Sequence, residues 1–218
     1  MKKLFFFLPI LALLVSCDLL DKGTISSTDV GGDTNLDINT VGTKVSTTVA
    51  VGSIACPASA EVTSNVNGVI TLNVKATLPK NSTAAVNSLI SLIPSSLKDA
   101  SGNLSTTAKY KNTSEGILDY TNKDGKPFVI VNYSSSLGDT YKLTKSDGTT
   151  ITRTITSVST TDDYLVMGGS MYIKTMQVTQ DSRIPGVSKI VYITNHKYAL
   201  VAIVIYLNDG TSTKISLL

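Results

Sequence analysis

Across 218 residues the sequence has no tryptophan, one histidine, two cysteines and only two glutamates, and each scarcity closes a route to function. The single histidine, His196, is the one side chain available as base in a Ser-His-acid nucleophile arrangement. It stands between Asn195 and Lys197, in what reads as a two-residue hairpin turn where polar residues belong for backbone reasons alone. No G-x-S-x-G, no H-E-x-x-H and no cysteine pair at zinc spacing is present. Neither a P-loop nor a G-x-G-x-x-G loop offers a phosphate cradle. A non-enzymatic protein without a cofactor is the expectation.

The carboxylates are also poorly placed for chemistry. Asp162-Asp163, after Thr160-Thr161, is the nearest thing to a cluster. A calcium site takes about six to eight oxygens, and the calcium-loop spacing is absent, so this pair reads as a solvated loop and no metal is expected. Glu61, Glu115 and Asp119 are candidates for a glycosidase pair only because two carboxylates can converge from anywhere in a chain. Net charge is +3, and it falls to about +1 once Lys2 and Lys3 are removed with the leader described below. No charged field is left to attract nucleic acid.

What remains is a strand-forming composition rich in Ser, Thr, Asn, Gly, Val and Ile. T-K-V-S-T-T-V-A-V at 43–51 places Val45, Thr47, Val49 and Val51 on one face. Residues 61–66 and 69–77 flank Asn67-Gly68, the strongest short hairpin signal, with Ile70, Leu72, Val74 and Ala76 inward. One helix follows over 82–93, capped by Asn81 or Ser82 and ended by Pro94, with Val86, Leu89, Ile90 and Ile93 as its apolar stripe. Its other face is uncharged, which suits core packing on a sheet or a plug at the mouth of a curved one. Strands then run to the end: 115–121 and 127–133 about Asp124-Gly125, 140–145 and 150–158 about Asp147-Gly148, and 171–178 after Gly168-Gly169, where a bulge or bend is expected. The last meander, 189–194, 198–207 and 212–217, contains A-L-V-A-I-V-I-Y-L, apolar on both faces and therefore covered on both by a helix, a second layer or a ligand.

Nine or ten antiparallel strands must curl, split or close, so the fold class is mainly β: a curved antiparallel half-barrel sheet or a two-sheet sandwich, with one helix. The nine tyrosines (110, 120, 133, 141, 164, 172, 192, 198 and 206) are dispersed, and read as packing residues before sugar-stacking ones. Cys56, among Ile54, Ala55 and Pro57, reads as a small buried hydrophobe rather than a reactive thiol.

The N-terminus tells where the protein works. Lys2 and Lys3 precede an apolar run from Leu4 to Val15, too short to span about 30 Å of hydrocarbon, and Leu14-Val15-Ser16-Cys17 ends it. This resembles the signal peptide and cleavage box of bacterial lipoproteins. The resemblance implies cleavage before Cys17 and acylation of that residue, which incorporates palmitate-type chains and anchors the protein to a membrane of the bacterial cell envelope, on its periplasmic or cell-surface side. Asp18 marks inner-membrane retention in enterobacteria only, so the membrane stays open. The implied organisation is a signal peptide at 1–17, a flexible Gly/Ser/Thr/Asp-rich tether at 18–42 and a single β-rich domain at 43–218, with Leu36, Ile38 and Val41 as an alternative edge strand. The order of hairpins, helix and meander loosely resembles half-barrel periplasmic lipoprotein carriers. A binding module for an apolar ligand is therefore the leading expectation; a structural or adhesive lipoprotein contacting envelope proteins or glycans is the alternative, and a hydrolase is the third.

Overall fold

The computed structural model describes residues 25–51, 54–80, 84–91, 93–122, 124–166 and 171–217. The leader, Cys17, Asn81, Ser82 and Gly168-Gly169 lie outside them, as do the side chains of Thr47, Val49, Val51 and Leu89. The chain is mainly β and antiparallel.

Strands β1 (Lys44–Val51), β2 (Ile54–Val66) and β3 (Val69–Ala76) open the domain. Asn67 and Gly68 take φ of 53° and 82°, the paired positive values that a tight hairpin needs and that this dipeptide tolerates. Helix α1 (Ala84–Ser91) follows, and Pro94 precedes a single 3-10 turn at Ser95–Leu97. Next come β4 (Leu104–Thr113), β5 (Gly116–Asp119), β6 (Phe128–Asn132), β7 (Thr140–Thr144) and β8 (Thr150–Val158). A two-stranded flap, β9 (Tyr164–Leu165) with β10 (Tyr172–Ile173), interrupts the meander before β11 (Met176–Asp181), β12 (Val187–Asn195), β13 (Ala199–Leu207) and β14 (Ser212–Ser216).

Twelve strands form one sheet in the order β6-β5-β4-β3-β2-β1-β14-β13-β12-β11-β8-β7. Laid flat, such a sheet would be about 50 Å wide at the usual strand spacing. Its two edge strands are nevertheless consecutive in the chain, joined by loop 133–139, which spans at most about 28 Å. The sheet must therefore curl until β6 and β7 meet. No strand ladder closes that seam. Instead Tyr141 Oη accepts the Asn132 N–H at 3.0 Å, and Ser27 bridges both strands. Its carbonyl accepts the Val129 N–H at 2.9 Å, and its Oγ accepts the Lys142 N–H at 2.8 Å.

That bridge corrects the expected tether. From residue 25 the chain is part of the domain: Val30 is buried, the chain runs up the seam, and a 3-10 turn at Asp37–Asn39 tucks under the sheet. Asn39 is 1% exposed and is held by the Thr34 and Asn112 carbonyls and the Asn112 side chain. The segment lacks periodicity because polar side chains, not a strand face, satisfy its backbone. The alternative edge strand at 36–41 is likewise replaced by this turn.

Three other expectations change. The main sheet has more strands than nine or ten, and β2 begins at Ile54 rather than 61 because it is paired on both sides, by β1 and β3. The single strand at 171–178 is two elements: β10 turns back onto β9, and Lys174-Thr175 separates it from β11. The helix is confined to 84–91 among the described residues. The doubly apolar strand is β13, and a second layer does cover its outer face: Val166 and Ile173 of the flap pack on Val191, Ile193 and Val201.

Candidate functional site

Paired residues in an antiparallel sheet share a face, so the register identifies the concave side. Val45, Ala60, Val74 and Thr106 form one cross-strand row, and Ile215, Ile203, Tyr192, Val178 and Ile155 continue the same face across the other half. Two clusters fill parts of this interior. One, beside the seam, packs Phe128, Ile130, Tyr141, Ile155 and Val178 with Val30 of the N-terminal segment. The other seats α1: Val86, with Ile90 beside it, packs on Cys56, Ala76, Ala58 and Leu104.

Between them lies an apolar stretch of the concave face. Val45, Leu72, Val74 and Ile205 are half-buried, point inward and belong to neither cluster. Their inward-facing neighbours Ala58, Ala60 and Ala108 are small. This stretch of the concave face has α1 at one end. A cleft of about 300 Å³ lies at that end of the sheet, between residues 57–59 of β2, residues 75–77 at and just after the end of β3, and Asp99, Asn103 and Leu104.

The interior also holds one charged network. Arg153 of β8 is 2% exposed. Its Nη2 donates to Asp119 Oδ2 at 2.7 Å, its Nε to Gln180 Oε1 at 2.8 Å, and its Nη1 to the Phe128 and Val129 carbonyls at 3.2 Å each. The guanidinium lies 4.2 Å from the Phe128 ring centroid and 4.9 Å from that of Tyr192. Burial, reinforced by the Asp119 carboxylate, pushes the Tyr110 hydroxyl far above the ordinary tyrosine range, and burial also raises Tyr192. Every strong donor of this arginine is engaged within the protein, so it fastens β8 to β5 and β6 across the seam rather than presenting a charge to a ligand.

No family model matches the chain, and no curated protein matches it. Among solved structures, a candidate exported protein of YmcC-like fold from Bacteroides fragilis is similar over 82% of this chain and 95% of its own, with TM-score 0.43 and 11% identity.

The residues singled out from sequence are scattered. His196 is exposed in the β12–β13 turn. Asp162 and Asp163 are exposed, and Asp163 accepts the Ser159 hydroxyl at 2.7 Å. Glu61 pairs with Lys44 at 3.5 Å on the surface, and Glu115 lies exposed in the β4–β5 turn. Asp119 is brought to Arg153, not to a second carboxylate. Among the described residues no three of His, Cys, Asp and Glu gather as a metal site would require. Cys56 is buried, a free thiol beneath α1 whose pKa burial raises. Tyr110, Tyr141 and Tyr192 are interior, whereas Tyr172 is 57% exposed, so the tyrosines share no single concavity.

The sequence reading missed Arg153. A signal was there: in T-I-T-R-T-I-T it takes the middle place of the inward series Ile151, Arg153, Ile155.

Proposed function

We propose that the chain is an envelope lipoprotein, moored by acylation of Cys17, that binds an apolar ligand without transforming it. The leader supports the anchor: paired lysines, a short apolar core and Leu-Val-Ser-Cys in the places acylation needs. The ligand reading rests on one observation. Val45, Leu72, Val74 and Ile205 lie half-buried on the inside of a curled sheet, outside both packed clusters, and the groove they would form is the proposed seat of the ligand. Helix α1 is the lid of that groove.

Cys56 makes the reading testable. It lies under α1 and is the one thiol left once Cys17 is acylated. In the full chain, labelling by a maleimide should be slow, slow further when a C16 fatty acid is added, and speed up in Val86→Ala. Native mass spectrometry of the protein from its own host should show a bound lipid. Labelling indifferent to fatty acid, with no co-purifying small molecule, overturns the ligand reading. Unlabelled wild-type protein in cells fed radioactive palmitate, against Cys17→Ala as the control, overturns the anchor.

The second reading, a structural or adhesive lipoprotein contacting envelope proteins or glycans, is favoured by the exposed apolar residues. Val41, Val66, Leu137 and Val158 lie at the end of the sheet that carries the β2–β3 and β6–β7 connections. Leu165, Met171 and Tyr172 lie on the flap that leaves the same end. Crosslinking in whole cells distinguishes the two: a partner captured through Leu137 and Tyr172 selects adhesion, and none selects the ligand carrier.

A further inference from the structure

A second cleft, of about 270 Å³, lies at the opposite end from α1, and it differs in chemistry from the groove. Its floor is apolar, made by Tyr133, Val158 and Met176, while its rim carries Lys174 and His196. Both rim side chains are exposed, and neither has an ion-pair or hydrogen-bond partner among the described residues. Of the adjacent acids Asp162 and Asp163, both exposed, Asp163 accepts the Ser159 hydroxyl at 2.7 Å.

The walls are fixed by a single buried side chain. Asn195, 6% exposed, donates from Nδ2 to the Lys174 carbonyl at 2.7 Å. Its Oδ1 accepts the Lys197 and Tyr198 N–H groups at 2.8 and 3.1 Å, which sets the turn that carries His196. Tyr133 Oη donates to the Asn195 carbonyl at 3.0 Å, so the floor is tied to the same residue. One asparagine thus holds a cation-bearing segment, a histidine-bearing turn and an aromatic floor in register, the kind of support a preorganised site requires.

We propose that this cleft binds a small organic carboxylate, its body against Tyr133, Val158 and Met176 and its charge between Lys174 and His196. The cleft has room for one ring or a short chain, and one exposed lysine beside a hydrogen-bonding imidazole gives modest attraction, so the Kd is on the order of 1 mM. Sugar acids and short fatty acids share this chemistry.

Saturation-transfer NMR on the full chain in lipid nanodiscs tests it with four probes: glucuronate, hexanoate and their neutral counterparts glucose and hexanol. The expected result is that at least one carboxylate binds and its neutral counterpart binds at least fivefold more weakly. Lys174→Met and His196→Ala each weaken the carboxylate several-fold, while both variants, altered only at exposed positions, keep the wild-type melting temperature. Glucuronate alone marks a sugar-acid site, and hexanoate alone a fatty-acid site. Failure of both acids to bind, equal binding of the neutral probes, or affinity unchanged in both variants overturns the proposal. Loss of fatty acid from the α1 groove leaves this outcome untouched, because the two sites lie at opposite ends.

Discussion

Arg153 and Asp119 meet at 2.7 Å inside the sheet, from strands that are far apart in the strand order. β8 lies next to one edge of the sheet and β5 next to the other, so this pair joins them across the seam. Both residues are buried, at 2% and 9% exposure. Removing one partner strands the other charge, so Arg153→Met costs about 3–5 kcal/mol. Replacing both, as Arg153→Met with Asp119→Leu, recovers much of that loss, because apolar side chains face no desolvation cost. Urea unfolding of the two singles and the double measures the coupling. Additive losses would show that the pair does not act as a unit.

Alkaline pH attacks the same network. Burial lifts Tyr110 and Tyr192 above the ordinary range, so the folded state keeps their protons where the unfolded chain releases them. The contribution is intact below about pH 10 and falls as pH rises, by about 1.4 kcal/mol per unit for each tyrosine that must stay protonated. Tyrosinate absorbance from Tyr110 and Tyr192 should therefore appear only together with unfolding. A single smooth titration in native protein would contradict this.

Ser27 is the second fastening of the seam. Ser27→Ala removes the hydroxyl that accepts the Lys142 N–H and costs about 1 kcal/mol, read from the denaturation midpoint. Deleting residues 25–33 also strips Val30 from the core and the Val129 N–H partner, and the expected loss is several-fold larger. Amide exchange at Val129 and Lys142 then rises ahead of exchange elsewhere.

Gly116 opens β5 where the N-terminal segment crosses. A Cβ there would collide with the Val131 carbonyl oxygen and press on Val30 at 3.1 Å. Gly116→Ala should lower stability by about 2 kcal/mol or more, since the obstruction is backbone and cannot swing aside. An unchanged melting temperature would mean that β5 and β6 part more easily than their pairing implies.

Strand alternation and turn chemistry made most of the sheet legible. Asn67-Gly68 and Asp147-Gly148 mark their hairpins by local conformational preference, which needs no tertiary information. The first half of β2 was not legible, because Ala55, Pro57, Ala58 and Ser59 have poor strand propensity and owe their conformation to pairing with β1, joined from Ala58 onward by β3. The N-terminal segment misled for a similar reason. Its ordering comes from Ser27, Asn39 and Val30 meeting residues from 73 to over a hundred positions away, as the Asn39–Asn112 and Ser27–Lys142 contacts show. The doubly apolar β13 announced its need for cover on both faces, and on its outer face that cover is the flap.

The strand order also has a bearing on assembly. β1 to β6 are consecutive neighbours, and β7 to β14 form another run of neighbours apart from the flap, so the molecule is two meanders stitched together by β1 against β14. Local hairpins should let each half zip early, whereas the β1–β14 stitch joins distant parts of the chain and should form late. A nick in loop 133–139 breaks neither half, and the two fragments should find each other and rebuild the whole.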